Sequence, residues 1–339
     1  MTPSNTPLYR ILDANLDRAR EGLRVIEEWC RFGLNRADWA GQCKGWRQQL
    51  GHWHRPEYRL ARDTPADVGT ALTHPYEETR TDTSAVLQAN LCRIQEALRV
   101  LEEYGKVVDP QMGSACKQIR YQIYTLESAL LRQARLHQLC QIKLYLITTP
   151  SERLIETVAA ALQGGVKLVQ YRDKNTDDGI RWKRAQALRS LTSEHGALLI
   201  INDRVDLALA VDADGVHLGQ QDMPVAVARQ LLGPHRLIGR STTNPEELAR
   251  ALEEKVDYLG VGPAYATPTK TDKAVAGLAY IQHAAAHATL PWFAIGGIDL
   301  HTLPQVKAAG ASRVAVVRAV MDATDPAAAA QALEQQLAL

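Results

Sequence analysis

Residues 197–219 read ALLIINDRVDLALAVDADGVHLG and contain one complete strand–helix–strand unit. The short apolar run Ala197–Asn202 is typical of a buried strand. Apolar residues then recur at helical spacing, and Gly215–Leu218 is a second short strand candidate. Two buried strands joined by a helix predict a parallel β/α unit.

The same rhythm recurs throughout residues 141–339. The eight strand candidates are Lys143–Thr148, Lys167–Arg172, Ala197–Asn202, Gly215–Leu218, Leu237–Ser241, Tyr258–Gly262, Trp292–Gly296 and Arg313–Val317. Eight β/α units of this size predict a compact (β/α)8 TIM barrel. A doubly wound sheet is the alternative, but no G-x-G-x-x-G follows the first strand, which weakens a dinucleotide-binding interpretation.

Residues 1–140 have a different character, and we expect an all-helical domain there. The segment ANLDRAREGLRVIEEW (14–29) reappears as ANLCRIQEALRVLEEY (89–104), and CKGWRQQL (43–50) resembles CKQIRYQI (116–123). Each unit predicts a helix pair, so the two units predict a four-helix bundle with pseudo-two-fold symmetry. The predicted domains are therefore 1–140, helical and of unknown role, and 141–339, the barrel.

Five of the polar positions that are identical in the two copies of the repeat are candidates for a functional or structural role. They are Asn15/Asn90, Arg18/Arg93, Glu21/Glu96, Arg24/Arg99 and Glu28/Glu103. One interpretation is that they form salt bridges on helix faces or between the repeats. The other is that they form an inward cluster that binds an anion or small ligand, with residues 61–70 as its loop. The sequence leaves both open.

Composition restricts the class of protein. The chain has 339 residues, 46% of them hydrophobic, and a net charge of +1. Near-neutrality argues against a protein that coats nucleic acid. No apolar run approaches the length needed to cross a membrane, and the first residues lack the pattern of a secretory signal. We expect a cytoplasmic protein, with a homo-oligomer possible.

In a barrel, the C-terminal ends of the strands meet at one mouth. At the second strand, alternation places Gln170, Arg172 and Lys174 on one side, and these donors suit a diphosphate. Asp203 and Asp222 follow the next two strands, and carboxylates beside a phosphate site are typical of Mg²⁺ binding. The alternative is that Asp222 caps a helix and Asp203 pairs with Arg204.

A second anionic site is expected at the later strands. The loop after the sixth strand offers Thr267, Thr269 and Lys270. Loops after strands seven and eight of barrels often bind phosphate, and here they contain Gly296-Gly297 and Val317-Arg318. One diphosphate site and one monophosphate site in the same mouth indicate a transferase with two phosphorylated small-molecule substrates.

Six segments in this region, QYRDK, IINDR, DGVHLGQQD, IGRST, YLGVGPAYATPTK and AIGGI, closely resemble the thiamine-phosphate synthase family. This family is also called thiamine-phosphate pyrophosphorylase, and the resemblance spans about 141–339. It implies condensation of 4-amino-2-methyl-5-(diphosphooxymethyl)pyrimidine with 4-methyl-5-(2-phosphooxyethyl)thiazole, giving thiamine phosphate and diphosphate. The N-terminal repeat resembles the extra domain of two-domain members.

The resemblance also implies roles for individual residues. Those implied to bind the pyrimidine diphosphate are Gln170, Arg172, Lys174, Asn202 and Ser241, with Lys270 near the reacting groups. Those implied to bind the thiazole phosphate are Thr267, Thr269, Gly297, Val317 and Arg318. Asp203 and Asp222 would hold Mg²⁺, no residue is assigned as acid or base, and His217 is expected to be structural. Arg240 and Arg318 stand where many members have a small or apolar residue.

Two other functions are considered, a relative that isomerises a thiazole phosphate and a non-catalytic thiamine-phosphate sensor. The complete Gln-x-Arg-x-Lys segment with two aspartates argues against both. We also expect residues 141–339 alone to retain catalysis.

Overall fold

The structure is a computed structural model that describes residues 5–68, 79–80, 83–266 and 275–338. It contains two compact units, Met1–Ser128 and Ala129–Leu339. The division falls inside a long helix, so the boundary expected from the sequence, between residues 140 and 141, stays a prediction.

The N-terminal unit is helical, as predicted. Its described helices are α1 (Thr6–Glu28), continued by a π-helical turn (Trp29–Gly33), α2 (Ala37–Gly51), α3 (Pro56–Leu60), α4 (Thr83–Val108) and the first part of α5 (Pro110–Gln141). The two copies of the long repeat lie on α1 and α4, and the weaker match lies on α2 and α5. A Cβ at Gly22 would lie 2.7 Å from Ile94 Cγ1, so α1 approaches α4 closely at this point.

Part of the repeated polar pattern forms twin ion-pair networks. Glu27 Oε2 accepts from Arg47 Nη1 at 2.6 Å, and the equivalent Glu102 Oε2 accepts from Arg120 Nη2 at 2.8 Å. Both carboxylates are buried, so each network ties two helices of one repeat together. Among the five predicted positions, Arg24 pairs with Glu28, and Arg99 pairs with Glu103 at 3.2 Å, so the salt-bridge interpretation is confirmed for these two positions.

The second unit is a closed barrel of eight parallel strands in sequential order, which confirms the TIM-barrel prediction and excludes the doubly wound sheet. The strands are β1 (Leu144–Ile147), β2 (Leu168–Tyr171), β3 (Leu198–Asn202), β4 (Gly215–Leu218), β5 (Leu237–Thr242), β6 (Tyr258–Val261), β7 (Trp292–Ile295) and β8 (Val314–Val316). The helices outside it are α6 (Leu154–Gln163), α7 (Asp178–Glu194), α8 (Val205–Ala210), α9 (Val225–Leu232), α10 (Pro245–Glu253), α11 (Gly277–His287), α12 (Leu303–Ala308), α13 (Arg318–Met321) and α14 (Pro326–Ala338).

The last turns of α5 close the N-terminal end of the barrel. Leu139 is fully buried, and with Leu136 it packs against inward-facing residues of the strands such as Leu168 and Leu237. These α5 residues belong to the same compact unit as the barrel. The helix end therefore supplies part of the barrel's core, although it precedes the predicted boundary.

Two buried aspartates at strand starts anchor the same helix end. Asp257 accepts from Arg132 at 2.7 Å and from the Ile238 amide at 2.8 Å. Asp214 accepts from Arg135 at 3.1 Å and, in the same way, from a backbone amide of β3. These contacts fix the closed end of the barrel and leave its other end available for a site.

Within the part of the chain that the structure describes, no helix has the length and apolar character needed to span a membrane. The cytoplasmic location stays a prediction.

Candidate active site

A cavity of about 400 Å³ opens at the C-terminal ends of the barrel strands. Seven of the residues singled out from the sequence line it: Gln170, Arg172, Asn202, Ser241, Gly297, Val317 and Arg318. Three others, Thr267, Thr269 and Lys270, lie outside the described residues. The structure thus brings residues predicted for both anionic sites to one cavity, whereas Lys174, Asp203 and Asp222 are absent from its lining. The roles of the individual residues stay predictions.

The floor of the cavity is aromatic. Tyr145 and Phe293 line it, with their ring centroids 5.2 Å apart. Tyr258, whose ring centroid is 5.9 Å from that of Tyr145, is fully buried and absent from the lining. Burial raises the pKa of both tyrosine hydroxyls above the usual value, so both stay protonated at neutral pH. Sequence reasoning missed this floor, although the inward register of Tyr145 follows from strand alternation.

A continuous chain of hydrogen bonds crosses this floor. Gln170 Nε2 donates to Tyr145 Oη at 2.6 Å, and the Tyr145 and Tyr258 hydroxyls lie 2.9 Å apart. His217 lies 3.2 Å from Tyr258 Oη through Nδ1 and 2.9 Å from Ser241 Oγ through Nε2. The chain therefore fixes the side chains of two predicted substrate-binding residues, Gln170 and Ser241, relative to each other.

His217 combines a structural position with exposure to the cavity. The sequence predicted only a structural role for His217, but the side chain also lines the cavity. Its hydrogen bond to Ser241 Oγ holds that residue in place. A Cβ at Gly239 would lie 2.4 Å from His217 Nδ1 and 2.2 Å from Tyr258 Cζ. Glycine at this position of β5 therefore leaves the space that these two rings occupy.

Arg172 stands at the rim where a phosphate is expected. Its backbone amide donates to Thr148 Oγ1 at 3.0 Å, which fixes the turn after β2. Its Nε is buried and has no hydrogen-bond partner among the described residues. A buried guanidinium N–H without an acceptor is costly, and a ligand anion would supply that acceptor.

A carboxylate cluster adjoins this rim. Lys174 Nζ pairs with Asp203 Oδ2 at 2.9 Å, and Asp222 Oδ2 accepts from the Gly219 amide at 2.6 Å. Burial, and then the hydrogen-bonded carboxyl of Asp222, raise the pKa of Asp203 despite the opposing effect of Lys174. The structure therefore places the two aspartates beside each other, and the Mg²⁺ site expected there stays a prediction.

The alternative pairing considered for Asp203, with Arg204, is not observed. Arg204 pairs with Asp206 at 2.7 Å and with Asp178 at 2.8 Å rather than with Asp203. The N-cap position of α9 is Pro224, and the Asp222 carboxylate accepts from the loop that precedes it.

The donor chemistry of this cluster fits Mg²⁺, which prefers oxygen ligands and retains water and phosphate oxygens. Two adjacent carboxylates, one with a raised pKa, favour a neighbouring cation. No group of three or more His, Cys, Asp or Glu side chains suited to a metal occurs in the described part of the chain. Protein ligands to Mg²⁺ would therefore have to be completed by substrate oxygens and water.

The part of the lining that follows β7 and β8 contains a glycine pair, one arginine and two aspartates, Asp299 and Asp322. Gly296 and Gly297 have φ values of +105° and +67°, and a Cβ at Gly296 would lie 2.4 Å from Pro263 Cβ. Arg318 lines the cavity beside them. Arg240, in contrast, is buried, donates to the Gly219 carbonyl at 2.8 Å and is absent from the cavity lining.

Comparison with known proteins agrees with this geometry. Residues 144–320 match the family described as thiamine monophosphate synthase. A thiamine-phosphate synthase of Synechocystis sp. is 62% identical over 334 residues, which cover 98% of this chain and 97% of that protein. The chain belongs to the thiamine monophosphate synthase family. The resemblance inferred from the six segments is confirmed, together with the transferase class.

Further relatives extend the comparison. A thiamine-phosphate synthase of Nostoc sp. is 62% identical, with 97% of this chain and 94% of that protein covered. The thiamine phosphate pyrophosphorylase structure from Pyrococcus furiosus is 38% identical with a TM-score of 0.54, and covers 58% of this chain and 96% of that one. Residues 10–129 match the ThiD2 family. The thiamine monophosphate synthase family match thus lies in the barrel, and the relatives from Synechocystis and Nostoc are similar along nearly the whole chain.

Proposed function

We propose that this chain joins 4-amino-2-methyl-5-(diphosphooxymethyl)pyrimidine to 4-methyl-5-(2-phosphooxyethyl)thiazole and releases diphosphate. Family membership supports thiamine phosphate as the product. The observation that carries the placement of the diphosphate is the buried, unpartnered Nε of Arg172, which lines the cavity. The part of the lining that follows β7 and β8 carries a glycine pair and Arg318, which suit a second phosphate.

The cavity fits two flat rings with anionic ends. Its aromatic floor offers an apolar surface to a pyrimidine, and Gln170, Asn202 and Ser241 surround that floor with hydrogen-bonding groups. Pockets of this kind orient a ligand through a few polar contacts on an apolar base. The diphosphate would extend toward Arg172 and Lys174, and the thiazole phosphate toward Gly297 and Arg318.

The reaction requires positioning and charge stabilisation. The substitution would be dissociative: the C–O bond to the pyrimidine methylene carbon breaks first, and its electron pair leaves with diphosphate. The electron-rich aminopyrimidine bears the resulting cation, and the thiazole nitrogen then supplies the electron pair for the new bond to that carbon. Arg172 and Lys174 would stabilise that negative charge as it develops. Mg²⁺ held by Asp203 and Asp222 would neutralise further charge on the leaving group. No proton is transferred in this step, in keeping with a floor of protonated tyrosines and a site without an assigned general base.

Direct turnover tests the proposal. Purified chain is mixed with both substrates and Mg²⁺, and thiamine phosphate and diphosphate are quantified. We expect equimolar formation of both products. An isomerase relative would convert the thiazole phosphate without diphosphate release, and a sensor would bind thiamine phosphate without turnover; either result from folded protein would contradict the proposal.

A variant pair locates the diphosphate site. Arg172→Gln should lower kcat/KM by roughly 10-fold or more, since a charge-assisted hydrogen bond contributes about 1.5–3 kcal/mol. Arg153→Gln is the matched control, because that side chain is 77% exposed, pairs with Glu156 and is absent from the cavity lining. Equal activity of the two variants would remove Arg172 from the site.

A further inference from the structure

A second cleft, of about 540 Å³, lies in the N-terminal unit between α1 and α4. Eight of its nine lining residues form four pairs that stand 75 positions apart in the repeat. The pairs are Asn15/Asn90, Arg18/Arg93, Glu21/Glu96 and Gly22/Ala97. The cleft is therefore built from the same positions of both repeats, and the close approach of α1 to α4 at Gly22 forms part of its wall.

The identical polar residues of the repeat divide into two groups. The arginines nearer the C-terminal ends of α1 and α4 are paired, for example Arg24 with Glu27 at 3.3 Å and Arg99 with Glu102 at 3.1 Å. The cleft residues Arg18 and Arg93 have no ion pair or hydrogen bond to any described residue, although each has a glutamate three positions later. The paired arginines, Arg24 and Arg99, stabilise the helices through ion pairs. Arg18 and Arg93 line the open cleft.

The asparagines of the cleft are held in place without using their oxygens. Asn15 Nδ2 donates to the Ile11 carbonyl at 2.9 Å, and Asn90 Nδ2 donates to the Val86 carbonyl at 2.8 Å. Asn15 is 8% exposed, so an oriented polar side chain is buried at the base of the cleft. Each Oδ1 remains available as an acceptor for a ligand, since neither accepts from a described residue.

Residues 61–68, part of the stretch considered as the loop of this cluster, form contacts elsewhere. Arg62 Nε donates to Asp13 Oδ2 at 2.5 Å, and Arg62 also pairs with Asp17. This stretch contributes no residue to the cleft lining. The cleft is therefore defined by the two repeated helices.

We propose that this cleft binds one small ligand that carries both an anionic group and hydrogen-bond-donating amino or hydroxyl groups. The guanidinium groups of Arg18 and Arg93 suit a phosphate or carboxylate. Glu21, Glu96 and the asparagine oxygens suit the donors of the same ligand. Since two arginines and two glutamates sum to zero formal charge, a ligand with both features matches the cleft better than a simple polyanion.

Ligand-observed saturation-transfer NMR on the full chain tests this site. The probes are O-phosphoethanolamine and β-alanine, which combine an anion with a donor, and inorganic phosphate and ethanolamine, which have one feature each. We expect at least one combined probe to bind at millimolar concentration, and tighter than either single-feature probe. Comparing the two combined probes distinguishes a phosphate ligand from a carboxylate ligand.

Three variants assign the signal. Arg18→Gln/Arg93→Gln should weaken binding at least tenfold, while Arg24→Gln/Arg99→Gln, which removes the same charge from the same helices outside the cleft, should retain it. Arg172→Gln should also retain binding, which excludes the barrel cavity as the source. Absence of binding by all four probes, or equal binding by the two double variants, would overturn the proposal. Circular dichroism confirms that each variant is folded.

Discussion

The end of α5 belongs physically to the barrel, so a chain that begins at residue 141 should be much less stable than one that begins at 129. Starting the chain at residue 141 instead of 129 removes Arg132, Arg135, Leu136 and Leu139 from the closed end of the barrel. This expected loss of stability opposes the prediction from the sequence that residues 141–339 alone retain catalysis. Both fragments contain every strand and every described residue of the candidate active site.

The magnitude follows from what the helix end contacts. Leu139 is fully buried, and losing such a side chain costs about 2–5 kcal/mol. Asp257 and Asp214 would each lose one arginine but would keep a second arginine and a backbone amide. Adding these losses at the lower end of their ranges, we expect the free energy of unfolding to fall by roughly 5 kcal/mol, which is comparable to the whole stability of many domains.

Urea unfolding of fragments 129–339 and 141–339, followed by circular dichroism, measures the difference. In the full chain, Leu139→Ala should destabilise the barrel by about 2–5 kcal/mol. Leu131→Ala is the matched control, because Leu131 is 43% exposed on the same helix. If the two fragments unfold with free energies within about 1 kcal/mol of each other, the helix end is not part of the barrel core and the reasoning fails.

Three further outcomes are expected. Asp203→Asn should abolish the dependence of thiamine phosphate formation on added Mg²⁺ and lower kcat, as measured by Mg²⁺ titration; an unchanged titration would remove Asp203 from the metal site. Gly239→Ala should lower the free energy of unfolding in urea by about 1–3 kcal/mol, because the new Cβ would lie 2.2 Å from Tyr258 Cζ. Gly260→Ala should lower it by less, because the nearest atom to its Cβ would lie at 3.2 Å. A larger loss for Gly260→Ala than for Gly239→Ala would contradict the packing argument. Burial alone would raise the pKa of Glu102, but hydrogen bonds from an arginine lower that pKa below the usual 4.5. The ionised Glu102 therefore contributes its full stabilisation above pH 4.5. This stabilisation is lost as the pH falls through the pKa of the folded state. Glu102→Gln should therefore flatten the acid dependence of stability, and a wild-type slope in urea titrations at several pH values would exclude this role.

Local patterns in the sequence were sufficient for the architecture. Short apolar runs alternating with amphipathic segments predicted all eight strands, and β4 begins and ends where it was expected, at Gly215 and Leu218. The repeated motif predicted helices because its apolar spacing is a local property of the chain. Gln170, Asn202 and Ser241 could be placed at one mouth because the C-terminal ends of barrel strands converge.

Tertiary structure decided how these groups contact one another. The chain of hydrogen bonds through Tyr145, Tyr258 and His217 joins residues 113 and 41 positions apart, and sequence spacing carries no information on such pairings. The sequence singled out both Arg240 and Arg318, yet only the folded barrel shows that Arg240 donates to a backbone carbonyl while Arg318 lines the cavity.

The domain boundary also separates what is local in the sequence from what depends on tertiary structure. The change of composition near residue 140 marks where helical sequence gives way to alternating strands, which is a local feature. Membership of the barrel core depends on which apolar and charged groups are buried together, and the groups that Leu139 and Arg132 contact come together only in the folded barrel. Sequence therefore determined the elements and the mouth of the barrel, whereas long-range burial decided what closes its other end.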